Sequence, residues 1–322
     1  MKTVGITGPT GSGKSTLFRA IAGDKPVGDV AAVSVPDERL DKLSELHSSR
    51  KTVYAQVQVV DVTATARTAA AAAARLRNMD ALLIVVPSFG GQDGAAALRE
   101  FKEDLLLFDM GPFETRVGKA RKDPASKKEV PALDKALDLL NEGSFLSSQA
   151  WESDELATFS ALAPVTLKPM VLVNNVDEDG LGDKIDDPDF ECISVSALLE
   201  AEVAGLGPSD AKELLSAYGV EEPVMGVVIE QIYRSLDLIT FFTTGDDESR
   251  AWEVKRGATA PEAAGAIHSD IQRGFIRAEV ISYDALVEAG HWDKAKAAAK
   301  LRVEGKDYVF REGDVTNFRF NV

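Results

Sequence analysis

The sequence predicts an α/β protein: a doubly wound parallel sheet broken by a helical insertion and followed by a small α+β domain. Three observations carry this. Short apolar runs of strand length (Val4–Thr7, Ala81–Val86, Met170–Val173) alternate with helix-forming stretches up to about residue 235, as buried parallel strands and their crossover helices do. Between residues 98 and 164 the periodicity is helical and no strand-like run occurs. Beyond residue 236, short β-rich segments surround one helical stretch.

Taken in chain order, Val4–Thr7 reads as a strand that ends in a glycine-rich turn, and Lys14–Ala22 as the helix after it. Val53–Asp61 alternates and is rich in valine, which predicts a strand; the alanine run Ala69–Leu76 predicts a helix. The insertion carries three candidate helices, Glu100–Phe108, Glu114–Lys122 and Val130–Leu140. The last region offers strands at Ile239–Thr243, Ala251–Val254, Arg277–Ser282, Tyr308–Arg311 and Asn317–Asn321, and a helix at Ala260–Gln272. The expected domains are therefore 1–97 with 165–235, an insertion at 98–164, and a C-terminal domain at 236–322.

The 322 residues hold 36 Lys+Arg against 52 Asp+Glu, a net charge of −16, which argues against a simple polyelectrolyte grip on nucleic acid. A single cysteine, Cys192, excludes a disulfide framework and fits a reducing compartment, and no apolar run approaches the roughly 20 residues of a membrane span. A cytoplasmic protein is expected, with no membrane partner and as a monomer. One stretch reverses the charge: between Arg116 and Lys128 lie six basic residues (Arg116, Lys119, Arg121, Lys122, Lys127, Lys128) and one acid, Asp123. It reads either as a solvated helix surface or as an RNA-facing patch.

The strongest chemical signal is Gly8-Pro9-Thr10-Gly11-Ser12-Gly13-Lys14-Ser15, a P-loop pattern placed between a predicted strand and a predicted helix, with Thr16 following. Glycines let successive backbone N–H groups converge on a phosphate, and the helix N-terminus adds its positive dipole. Lys14 would neutralise the β/γ-phosphate oxygens, and the Ser15 hydroxyl suits Mg²⁺. A P-loop also needs a carboxylate at the end of a neighbouring strand for the metal. Asp61 is the candidate, although a strand-terminal Asp also serves as a plain turn residue.

After the apolar strand comes Val173-Asn174-Asn175-Val176-Asp177-Glu178, which offers a base-reading loop in two registers, Asn174…Asp177 or Asn175…Glu178. The usual one-residue gap after the last apolar strand residue favours the second. Glu in place of Asp no longer fits the guanine edge in the same way, whereas an Asn amide pairs with adenine N6 and N7. ATP is therefore favoured, with GTP as the alternative.

The sequence resembles the YchF-type Obg-like ATPase family at many points. Val35-Pro36-Asp37-Glu38-Arg39-Leu40-Asp41-Lys42-Leu43 is similar to the stretch after that family's switch I. Leu167–Pro169 through Asn175–Gly180 is similar to its N-x-x-E adenine signature, and Ser194-Val195-Ser196-Ala197 to its last nucleotide-loop segment. The longest matches are C-terminal: Arg250–Trp252, Gly257–Pro261, Ala264–His268, Gly274–Val280, Glu304–Tyr308 and Phe318–Val322 resemble its TGS domain. The resemblance covers nearly the whole chain. It implies a P-loop NTPase domain interrupted by a coiled-coil-like helical insertion, then a ubiquitin-like TGS domain. It also implies slow Mg²⁺-dependent ATP hydrolysis and association with the ribosome in translation or stress control.

On this resemblance the nucleotide site comprises Gly8–Thr16, Asn175, Val176, Glu178, Ser196 and Ala197, with Ser15 and Asp61 for the metal and Lys14 as the catalytic group. The TGS domain and the basic segment 116–128 would meet the ribosome or its RNA. The sequence departs from the family in two places. The segment between Ala22 and Val35 is short and lacks a switch threonine, and D-x-x-G is replaced by Asp61-Val62-Thr63-Ala64, followed by the alanine-rich Thr65–Ala74. Two rivals follow: a nucleotide-sensing module that binds without turnover, and a GTPase using the Asn174/Asp177 register.

Overall fold

A computed structural model describes residues 1–23, 28–62 and 69–321. The switch departures expected from Thr63 to Thr68, part of the short segment after Ala22, and Val322 lie outside these residues. In chain order the first elements are β1 (Lys2–Thr7), α1 (Lys14–Ala22), β2 (Val30–Ser34), α2 (Glu38–His47), β3 (Thr52–Val53), β4 (Gln56–Asp61), α3 (Ala69–Leu76) and β5 (Ala81–Ser88). The helical region holds α4 (Gly94–Ala120), α5 (Val130–Asn141) and α6 (Ser153–Phe159). After it come β6 (Met170–Val176), β7 (Cys192–Val195), α7 (Ala197–Ala204), α8 (Pro208–Ala217) and α9 (Met225–Ser235). The remainder is β8 (Leu238–Thr243), β9 (Ser249–Lys255), α10 (Ala260–Ile267), α11 (Ser269–Arg273), β10 (Phe275–Ser282), α12 (Tyr283–Ala289), α13 (Trp292–Ala297), β11 (Arg302–Glu304) and β12 (Asp314–Phe320).

The chain forms two compact units, 1–33 with 58–232, and 34–57 with 233–322. The first is built on a six-stranded sheet of order β2-β4-β1-β5-β6-β7, in which β1, β5, β6 and β7 pair in parallel. Non-consecutive neighbours require crossover connections, so the α/β reading of the alternating apolar runs holds. Strand β5 is buried from Ala81 to Pro87, which explains why its sequence is continuous in apolar residues rather than alternating.

The helical region packs onto this unit through Phe113, Val117, Leu133, Leu140, Phe145 and Phe159, all buried. Here the structure corrects one expectation. The stretches Glu100–Phe108 and Glu114–Lys122, the latter as far as Ala120, belong to a single 27-residue helix, α4, which runs through Pro112. Proline at 112 removes the donor that Phe108 O would have received within the helix. Arg77 Nη2 donates to that carbonyl at 3.2 Å instead, so the helix continues without an orphaned acceptor.

The second unit carries a six-stranded sheet of order β11-β10-β12-β8-β9-β3 around Phe241, Phe275, Phe310 and Phe318. Expected as one strand, Val53–Asp61 is divided: Thr52–Val53 pairs with Ser249–Arg250 in this second sheet, and Gln56–Asp61 enters the first. The segment 34–57, expected with the nucleotide-binding domain, therefore groups with the C-terminal residues. Ala260–Gln272 is two helices that break at His268, whose Nδ1 accepts from Asp270 N at 3.1 Å and caps the second. Tyr308–Arg311 is not a strand but makes one bridge, Thr259 to Val309. Among the described residues no helix is long and apolar enough to cross a membrane.

Candidate functional site

Strand β1 ends at Thr7, the loop Gly8–Gly13 follows, and α1 starts at Lys14, with Gly13 O accepting from Thr16 N and Leu17 N. Two of the glycines are required by close approach as well as by conformation. Gly8 has φ 138°, and a Cβ there would lie 2.1 Å from Val85 O; Gly13 has φ 91°, and its Cβ would lie 2.2 Å from Asn175 Nδ2. The loop is thus pinned between β5 on one side and the β6 asparagine on the other. Thr10 and Gly11 stand exposed at the loop tip, and Ser12 is buried.

Lys14 is folded over the loop. Its ammonium donates to Gly8 O at 3.0 Å and to Pro9 O, and reaches Ser12 Oγ at 3.5 Å. Burial lowers its pKa, and the nearby Asp61 carboxylate works against that shift. Ser15 Oγ donates to Asp61 Oδ2 at 2.8 Å, and Asp61 is only 1% exposed at the end of β4. A hydroxyl and a buried carboxylate held this close, beside a phosphate-type loop, form an all-oxygen donor set of the kind Mg²⁺ takes together with waters and phosphate oxygens. These residues fit the ion.

Strand β6 sends its two asparagines to opposite faces, as a pleated strand must. Asn175 faces the loop: its Nδ2 donates to Ser12 O at 3.0 Å and its Oδ1 accepts from Ala197 N at 2.9 Å. One amide therefore ties the phosphate loop to the start of α7. Ser196 caps that helix, accepting from Leu199 N at 3.3 Å, and its hydroxyl donates to Glu178 Oε1 at 3.4 Å. Val176, which follows Asn175 in sequence, is buried. Asn174 turns the other way. Its Nδ2 donates to Asp183 O at 3.5 Å, and its Oδ1 is buried without a partner among the described residues. The Asp177 carboxylate accepts from Gly90 N at 2.7 Å.

Sequence reasoning missed this second face. Gly94 opens α4 so close to it that a Cβ would fall 2.1 Å from Ser88 Oγ and 3.1 Å from Asn174 Oδ1. No property of consecutive residues marks this approach, since it depends on β5, β6 and the start of α4 meeting in space.

The basic segment resolves into two kinds of residue. Arg116 is forked onto Glu129 at 2.8 and 2.7 Å, and Arg121 Nη2 donates to both Asp134 oxygens at 2.7 and 2.9 Å, so both arginines tie the end of α4 to the segment that follows. Lys119, Lys122, Lys127 and Lys128 form no ion pair among the described residues and are exposed. If the segment meets RNA, these four lysines carry the contact. Changing all four to glutamate should weaken binding of a ribosomal RNA fragment with thermal stability unchanged. The slope of log affinity against log salt should fall by about one for every phosphate the lysines neutralise. Titrations at several salt concentrations read both, and an unaltered slope would leave the patch merely solvated. Trp151 packs against Phe159, Trp252 lies under the Arg250 guanidinium, Trp292 opens α13, and Cys192 is a buried core residue.

Two family models match the chain: YchF-GTPase_C, described as a protein of unknown function, over residues 238–321, and one described as ABC transporter over residues 1–146, the part containing the phosphate loop. Curated relatives include the ribosome-binding ATPase YchF of Haemophilus ducreyi, 35% identical, and that of Bacillus subtilis, 34% identical; each alignment covers 99% of both chains. Among solved structures, the YchF GTPase of Schizosaccharomyces pombe superposes with a TM-score of 0.91 at 27% identity, over 99% of this chain and 97% of that one. The names of these relatives thus divide between ATPase and GTPase.

Proposed function

The chain belongs to the YchF family, and from that premise we propose that it is a Mg²⁺-dependent P-loop ATPase of slow turnover that works on the ribosome. The activity and the partner for which its relatives are named support the reaction and the ribosome. The observation that carries the choice of nucleotide is Asn175, bonded to Ser12 O and Ala197 N, with Glu178 on the same side through Ser196. The rival register is disfavoured because Asn174 faces away from the loop, toward Asp183 O. The Asn175 amide spends one N–H on Ser12 O and one lone pair on Ala197 N, and its second N–H and second lone pair are the donor and acceptor an adenine edge would meet.

The roles follow from position. The loop N–H groups and the start of α1 receive the phosphates. Lys14 exchanges its bonds to the Gly8 and Pro9 carbonyls for charge-assisted bonds to the β/γ oxygens. Ser15 and Asp61 would hold Mg²⁺, which when bound supplies charge neutralisation at the phosphates. Catalysis then rests on positioning and on electrostatic stabilisation of the transferring phosphate. The domain reading is likewise a proposal: a nucleotide-binding domain, its helical insertion, and a TGS domain for the ribosome.

The test is phosphate release from ATP and from GTP, with and without ribosomes. ATP turnover should exceed GTP turnover, and Lys14→Ala should lower it about 10²–10³-fold. Equal use of both nucleotides would remove the adenine assignment to Asn175. Binding of ATP with no turnover above the Lys14→Ala background would replace the enzyme by a nucleotide-gated module.

A further inference from the structure

We propose that the open edge of β12 is a docking site for an extended protein segment bearing lysine or arginine. On one side β12 pairs with β10 along its whole length, from Asp314 opposite Ser282 to Phe320 opposite Phe275. On the other side its parallel register with β8 is the single pair Val315 and Phe242, because β8 ends at Thr243 and the chain turns through Thr244–Glu248 into β9. From Asn317 to Phe320 the second edge therefore has no strand beside it among the described residues, and a row of backbone donors and acceptors faces outward.

That edge borders an open cleft of about 650 Å³. Its apolar wall is Ile267, Ile271, Phe318 and Phe320, and Phe320 is 45% exposed, one of the largest uncovered apolar side chains of the unit. The free edge is four residues long, roughly 13 Å, enough to register a strand of similar length. One end of the cleft is lined by Asp246, Asp247 and Glu248; among the described residues no Lys, Arg or His lines the cleft, and the cations that meet these acids, Arg50, Lys51 and Arg250, reach them from outside it. Asp246 forms no ion pair among the described residues. Asp247 meets Arg50 at 3.4 Å with both side chains at least 83% exposed, and Glu248 meets Lys51 at 3.3 Å and Arg250 at 3.8 Å. Pairs this exposed contribute at most about 1 kcal/mol and exchange readily for a ligand cation.

These features select the occupant. An RNA strand would bring phosphates against three carboxylates. A compact apolar molecule would leave the β12 backbone unused. An extended peptide satisfies all three elements: main-chain hydrogen bonds to Asn317–Phe320, alternate apolar side chains on the isoleucines and phenylalanines, and a cation at Asp246–Glu248. Every residue of the cleft belongs to the second unit, so neither the docking nor its test involves the nucleotide site.

Fluorescence anisotropy on the full chain would use octapeptides alternating Lys or Arg with Val, Ile or Phe. The controls are the same peptides with Glu for every basic residue, the same peptides with a central proline, and an eight-nucleotide oligouridine. The basic peptides should bind at least about 10-fold more tightly than either peptide control. Asp246→Lys with Asp247→Lys, an exposed-loop change that spares the core, should abolish that preference, and Phe320→Ser should weaken binding because its apolar contact is gone. Hydrogen exchange should slow at residues 317–320 when the basic peptide is added. Equal binding of basic and acidic peptides, insensitivity to the double charge reversal, tighter binding of the oligouridine, or the absence of any added protection at 317–320 would each overturn the proposal.

Discussion

Gly13→Ala should lower ATP affinity at least about 100-fold, while Gly11→Ala at the loop tip lowers it far less. Both glycines have positive φ, 91° and 80°, so both substitutions carry the same kind of left-handed strain, about 1–3 kcal/mol. They differ in what the new methyl meets. At residue 11 nothing lies within 4 Å; at residue 13 the Cβ falls 2.2 Å from Asn175 Nδ2 and 3.3 Å from its Cγ. The amide must move, and in moving it releases Ser12 O and Ala197 N together. The phosphate loop and the proposed base loop then lose their shared fastening, and a nucleotide that must touch both loses its pre-set geometry. Titration calorimetry with ATP on the two variants separates strain from collision, since strain is common to both. If the two bind ATP equally, Asn175 does not organise the site, and the argument for adenine loses its support.

The two halves of that site differ in how far the sequence alone reveals them. The phosphate loop is fully readable because its spacing is a property of consecutive residues, and the same holds for Asp61 at a strand end. The choice between the two asparagine registers is readable only as a preference. Which face of β6 each asparagine takes depends on strand phase, and Asn174 and Asn175 differ by a single step of it. The division of Val53–Asp61 between two sheets is not readable at all, because Tyr54 and Ala55 interrupt nothing in the valine pattern, and the pairing partners Ser249 and Arg250 lie far along the chain. The basic run at 116–128 is visible as charge, but its two arginines are engaged by Glu129 and Asp134, acids just beyond the run. Net charge over a window cannot tell a structural arginine from a free lysine.

The proline in α4 leads to the largest expected stability effect, Asp109→Ala, which should destabilise the first unit by about 3–5 kcal/mol. Asp109 is fully buried, and its carboxylate accepts from Thr166 N and Thr166 Oγ1, both at 2.8 Å, while Arg77 Nη2 lies 3.3 Å away. Arg77 also donates to Phe108 O, the carbonyl that Pro112 deprives of its helical partner, and to Leu162 O, and its guanidinium lies 4.3 Å over the Phe108 ring. One arginine therefore serves the gap in the helix, the end of the insertion and a buried acid at once. Removing Asp109 leaves a largely buried guanidinium uncompensated and two Thr166 donors unsatisfied, so the loss exceeds that of an ordinary hydrogen bond. Thr166→Val removes one hydroxyl donor and should cost only about 1 kcal/mol. Urea unfolding followed by Trp151, in a Trp252→Phe, Trp292→Phe background, reports on this unit, because Trp151 packs edge-on to Phe159 and donates to Leu146 O at 2.6 Å. Equal losses in the Asp109 and Thr166 variants would mean that the ion pair contributes nothing beyond one hydrogen bond. The helix would then cross Pro112 on its apolar packing alone, through Phe113 and Val117, and Arg77 would be incidental to it.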